Sequence, residues 1–247
     1  MEENRHFQIT SAVLHLMAMV FMFCDHLWVT GLCGNKWLTC VGRIAFPIFA
    51  FMIVEGYFHT HNLKKYVLRL LLLALLSELP FNLMLSGSLI YPFHQNVIWT
   101  FLISILLIWM NEKAKATGIQ WKQSLTAFGI LILGFLIGLV SFADYGFCGV
   151  FMVLAFYFFR GKSPQCLFGQ FLSMVCINMV LLGGYKAAIT LGSFSVSFPQ
   201  QGFAVLALIP IWLYQGKQGP HGKVVQYLNY SFYPVHMLLL ALIQMFR

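Results

Sequence analysis

His15, Asp25 and His26 stand together in an otherwise apolar stretch near the N-terminus, ITSAVLHLMAMVFMFCDHLWVTGL. In a helix, His15 and His26 are three turns apart with only about 20° of angular drift, so one face carries imidazoles at two levels roughly 16 Å apart. An imidazole gives and takes a proton near neutral pH, which suits it to general acid–base work or to a proton relay. Asp25 directly precedes His26, so a regular helix points it about 100° away, towards a neighbouring helix. A distorted helix would let it reach a ring nitrogen. Downstream, Arg43 precedes Pro47, and Glu55 and His59 share a helix face at i, i+4. Lys64, Lys65 and Arg69 form a basic cluster able to grip phosphates, or simply to hold lipid headgroups. Glu78 lies just before Pro80 in a leucine-rich run. His94, Gln95, Asn96 and Thr100, then Asp144 and Tyr145 in ADYGFCGV, and finally His236 in YLNYSFYPVHMLLL complete the set. Structural readings stand beside the chemical ones. His26 can serve as an interhelical hydrogen bond, and Glu55 with His59 as a self-neutralising pair.

The composition says what must hold these groups. Of 247 residues, 60% are apolar and 9% charged, with 25 Phe and 7 acidic residues. A soluble domain carries roughly 25% charged residues, so a soluble enzyme, a nucleic-acid module and a disordered tail are excluded. The chain reads as an all-α, polytopic transmembrane bundle of nine or ten helices forming a single integral-membrane domain over 1–247. Apolar segments fall near 9–32, 42–59, 66–86, 97–110, 125–142, 147–159, 167–185, 201–214 and 224–245. The segments 97–110 and 147–159 are short of the roughly 20 residues that cross a bilayer. The half-apolar stretch YKAAITLGSFSVSF is the candidate for a tenth.

Lys and Arg concentrate on the cytoplasmic side of membrane proteins. Nine spans with a cytoplasmic N-terminus put Arg5, Lys64, Lys65, Arg69, Lys113, Lys115, Lys122, Arg160, Lys162, Lys217 and Lys223 inside, against Lys36, Arg43, Lys186 and Arg247 outside. Topology thus accounts for the net charge of +8, with no nucleic-acid partner. The first apolar run carries polar groups and no A-x-A site, so it reads as a retained helix rather than a cleaved signal. The six cysteines include no CxxC pair. Cys33 and Cys40 share the first outer loop, as a disulfide or as small apolar filler. No metal is expected, since the histidines lack ligand spacing.

Two polar zones result: an outer one with Asp25, His26, Arg43, Asn96 and Asp144, and an inner one with His15, Glu55, His59, Lys64, Lys65 and Arg69. Such an arrangement suits a protein that meets two substrates from opposite sides, or one ion crossing the membrane.

Several phrases in order (DH in the first helix, then GRIAFPIFAFMIVEGYFHT, RLLLLALLSELPFNL, QNVIWTFLISILL, ADYGFCGVFMVLAFY and SFYPVHMLLL) resemble the TraX family, which includes a conjugative-pilin acetylase. That family is similar to the larger group of transmembrane acyltransferases, in which a basic residue, ten positions and a catalytic His recur in helix one. Here the ten-residue spacing ends at His26, and His15 stands where the group has Lys or Arg. The resemblance implies an acetyltransferase of the bacterial plasma membrane. It would take acetyl from cytosolic acetyl-CoA and pass it to a hydroxyl or amine at the outer side. His26 would act as general base, oriented by Asp25 or Asp144; an acetyl-His26 intermediate is the alternative. Arg43, Glu55, Glu78, Asn96 and His236 would serve the acceptor, and His15, His59, Lys64, Lys65 and Arg69 the donor. The acceptor stays open among a protein N-terminus, a glycan, a lipid and a small amine, as does a homo-oligomer. A proton-coupled transporter and a non-catalytic assembly protein are the competing classes.

Overall fold

The computed structural model describes residues 9–191, 194–220 and 222–246, and over these the chain is a helical bundle. Its α-helices are α1 (Ser11–Val29), α2 (Trp37–Gly42), α3 (Ala45–His59), α4 (Leu63–Ser86), α5 (Ile98–Lys115), α6 (Gln120–Val140), α7 (Gly146–Phe158), α8 (Pro164–Val175), α9 (Leu208–Leu213) and α10 (Lys223–Met245). α2 and α3 form one apolar rod, Trp37–His59, broken only at Arg43 and Ile44. α8 runs on as a π-helical segment, Cys176–Leu182, and α9 is preceded by a 3-10 segment, Gln200–Ala207. Among the described residues, these three joins leave nine helical segments, matching the nine apolar stretches of the sequence. Five of them (Ser11–Val29, Trp37–His59, Leu63–Ser86, Gln120–Val140 and Pro164–Leu182) are long and apolar enough to cross a membrane.

The tenth candidate is not a helix. Lys186–Leu191 (β1) and Phe194–Pro199 (β2) pair antiparallel, with Lys186 opposite Pro199. The physical reason lies in the pattern FSVSF, where apolar residues alternate with serine at a strand's period of two.

Local signals set the helix starts. Thr10, Asn62 and Ser163 cap α1, α4 and α8 by accepting from backbone N–H groups. Pro47 does not break the middle of its rod, because it falls in the first turn of α3, where a helix needs no N–H donor. Pro80 and Pro234 lie inside α4 and α10, where each removes one backbone donor.

α1 packs against α2, α3 and α10; α10 also packs on α4; and α3, α5 and α6 all contact α7. The fully buried side chains Leu14, Ile48, Leu107, Leu154 and Met237 mark the centre. Leu72, Leu76, Phe128, Leu136 and Val140 are exposed on α4 and α6, as lipid-facing surfaces require. At one end of the bundle, Ser11 N–H donates to the Lys217 carbonyl and Ile9 bridges Tyr214. At the other, Gln95 bridges Ala143, tying the loop before α5 to the loop before α7.

Candidate functional site

α1 and α10 bring two imidazoles together across 210 positions of sequence: His26 Nδ1 lies 2.7 Å from His236 Nε2. The rings are nearly parallel, 11° apart with centroids at 4.9 Å. His236 is buried, at 4% exposure. The ring of Phe232 stacks on it, Phe23 lies T-shaped to it, and its Nδ1 lies 2.6 Å from the Phe232 carbonyl oxygen. His26 is half-buried.

Asp25 turns away from His26, as helical geometry requires, and meets the second rod. It forms a salt bridge with Arg43 and accepts a 2.6 Å hydrogen bond from Thr39 Oγ1. Arg43 also donates to the Thr39 carbonyl at 3.3 Å and to Tyr145 OH at 3.4 Å. Gly42 permits this approach, because a Cβ there would collide with the Asp25 side chain. Gln200 Nε2 donates to Thr39 Oγ1 at 2.6 Å, from 161 residues away. Thr39 and Gln200 had no signal in the sequence. Each is an uncharged residue with a side-chain partner far away in sequence.

The remaining residues of the zone expected to face outward form two adjacent clusters. Glu78 Oε2 accepts from Asn96 Nδ2 and from Trp99 Nε1, the latter at 3.1 Å. Asn96 is fully buried, and its Oδ1 accepts from the Ile98 N–H at the start of α5. Asp144 lies not on His26 but 3.3 Å from His94 Nε2, and it also accepts from the Tyr145 N–H. The Asp144 hydrogen bond raises the His94 pKa above its ordinary value, against a smaller effect of burial. Tyr145 adopts φ 62°, an uncommon conformation for a bulky residue, and stacks on Phe46 with centroids 4.1 Å apart.

Two cavities approach this polar centre from opposite ends. One, about 790 Å³, at the end of the bundle that carries the start of α1, is lined by Ser11, His15, Glu55, His59, His61, Tyr66 and Tyr230, and further along by Met22, Phe101, Phe232 and Tyr233. Met22 is one helical turn before His26 and Phe232 stacks on His236, so the lining includes neighbours of the imidazole pair, though neither histidine of the pair itself lines the cavity. Glu55 is held by Arg160 at 2.7 Å, and His59 Nδ1 lies 2.8 Å from the Glu55 carbonyl. Lys64, Lys65 and Arg69 are exposed on the first turns of α4; Tyr66 and Leu70 of that helix line the cavity, and these three do not. The other cavity, about 530 Å³, at the end of the bundle where α1 finishes, is lined by Trp28, Val29, Thr39, Arg43, Gly184, Tyr185, Gln200 and Gln201. The buried Gln201 Oε1 has no hydrogen-bond partner among the described residues. All six cysteines are free, Cys33 and Cys40 included.

Apolar spans, a polar centre and cavities at both ends define an integral membrane protein. The chain belongs to the TraX family, whose model, described as TraX protein, matches residues 10–244. It is similar to a protein of Dichelobacter nodosus named "Probable fimbrial assembly protein FimC, serogroup H1". The two are 26% identical over 259 residues, covering 98% of this chain and 99% of that protein. No solved structure matches.

Proposed function

We propose that the protein is an acetyltransferase of the bacterial plasma membrane, moving acetyl from cytosolic acetyl-CoA to a hydroxyl or amine presented from the outer side. The observations that support this reading are the imidazole pair and two cavities lined by its neighbours, one by Met22, Phe232 and Tyr233 and the other by Arg43, the partner of Asp25. A transfer enzyme needs both substrates to meet at one proton-accepting group, each from its own side of the membrane.

The larger cavity would take the acetyl-pantetheine arm. His59 and His61 stand at its lining, with Lys64 and Lys65 a turn beyond on the exposed surface for the nucleotide phosphates. His26 would remove the acceptor's proton as its oxygen or nitrogen attacks the thioester carbonyl, and the C–S bond then breaks to release CoA. Arg43, fixed by Asp25, would supply positive charge near the developing oxyanion or the acceptor. The name of the Dichelobacter relative favours a fimbrial subunit as acceptor, with its free amine on the outer side.

The test uses detergent-purified protein, with calorimetry of acetyl-CoA binding and thiol-detected CoA release in the presence of an acceptor. His26→Ala should bind acetyl-CoA normally while turnover falls about 10²–10⁴-fold, the usual contribution of a general base. Lys64→Ala/Lys65→Ala/Arg69→Ala should weaken binding and leave turnover at saturation unchanged. Folded wild-type protein that binds neither acetyl-CoA nor longer acyl-CoAs would overturn the proposal. The same residues would then favour a proton-coupled transporter.

A further inference from the structure

We infer that His236 is a positioning residue: its Nε2 accepts the Nδ1 proton of His26 and so leaves the Nε2 lone pair of His26 free to act as the base. This rests on the acetyl-transfer reading. It goes beyond that reading by fixing which nitrogen reacts and which residue makes it available, a task that neither Asp25 nor Asp144 performs.

The tautomers follow from one backbone group. The Phe232 carbonyl oxygen can only accept, and His236 Nδ1 lies 2.6 Å from it; that nitrogen therefore carries a hydrogen. In a neutral imidazole one nitrogen donates and the other accepts, so His236 Nε2 carries a lone pair. His26 Nδ1, 2.7 Å away, must then be the donor. His26 is left with a bare Nε2. The chain runs from Phe232 C=O to His236 to His26, with Phe232 stacked on the middle ring and Phe23 T-shaped to it. No carboxylate substitutes for it. Asp25 is occupied by Arg43 and Thr39, and Asp144 by His94 and the Tyr145 N–H.

The same chain can spread charge during the reaction. As the acceptor's oxygen or nitrogen bonds to the thioester carbon, its proton goes to His26 Nε2. The imidazolium so formed shares its Nδ1 proton with His236 Nε2. When the tetrahedral adduct collapses, the C–S bond breaks, the leaving CoA sulfur takes up the Nε2 proton, and the pair returns to its starting tautomers. No oxidant, metal or further reactant enters.

The experiment is ¹⁵N NMR of histidine-labelled protein in nanodiscs at neutral pH, together with steady-state acetyl transfer. In wild-type protein the long-range ¹H–¹⁵N pattern should show the Nδ1–H tautomer for both His26 and His236, assigned through His26→Ala and His236→Ala. In His236→Ala, His26 should shift towards the Nε2–H tautomer, which predominates in free histidine. Turnover should fall about 10–100-fold, as for loss of a group that orients a functional histidine, with KM for acetyl-CoA unchanged. His236→Gln puts an acceptor oxygen near the Nε2 position and should recover part of the turnover and of the Nδ1–H signal; its thermal unfolding reports whether the fold is kept. An Nε2–H tautomer at His26 in the wild type would overturn the inference, as would full turnover in folded His236→Ala. Absence of acetyl transfer in the wild type would instead overturn the underlying function, while the tautomer spectrum still decides the hydrogen-bond chain.

Discussion

Asp25 and Arg43 are about 15% and 14% exposed, and each is the other's charge partner. Removing one partner of a buried pair leaves an uncompensated charge and costs about 3–5 kcal/mol, whereas replacing both by apolar groups of similar size is often neutral. Asp25→Ala should therefore lower the unfolding temperature in detergent sharply, and Asp25→Leu/Arg43→Met should restore most of it. Equal losses in both variants would show that the pair contributes through something other than its mutual charge. At this scale much of the site was legible. An Asp and a His adjacent in an apolar helix are expensive enough to need partners, and both have them. The partners' identities were not legible. The aspartate's partners are Arg43 and Thr39, and the neighbour at the histidine's Nδ1 is another histidine, 210 positions away.

Among the elements, the loops before α5 and α7 carry a pH-dependent contact. His94 and Asp144 meet at 3.3 Å, and the hydrogen bond raises the His94 pKa in the folded protein. A raised folded-state pKa adds stability below the ordinary value of 6.5, and that stability is lost as pH rises through the folded value. The unfolding temperature should thus decline as pH rises from 6 past 8, and His94→Gln should flatten this decline. An unchanged slope would remove the pair from the account. Helix boundaries were largely legible, because capping residues and apolar runs are local. The exception is instructive: a fourteen-residue, half-apolar stretch was open to a helical reading until β1 and β2 supplied its backbone partners. That hairpin, following Gly183 and Gly184 at positive φ, leads directly into Gln200, which reaches Thr39.

For the molecule as a whole, the alternation of nine rods puts Lys65 and Tyr185 at opposite ends of the bundle. In a cysteine-free background, Tyr185→Cys should react with a membrane-impermeant maleimide on intact cells, and Lys65→Cys only after permeabilisation. The reverse pattern would invert the orientation drawn from the Lys and Arg distribution. The sequence by itself determined the class, nine of the rods and the cost of its intramembrane charges, leaving a tenth rod open, because hydropathy, capping and desolvation act on residues near one another in the chain. Only the tertiary structure decided that His26 faces His236, that Asp25 belongs to Arg43, and that Thr39 meets Gln200. Each of these depends on which helix faces cross, and helix packing is set by the summed shape of side chains far apart in sequence.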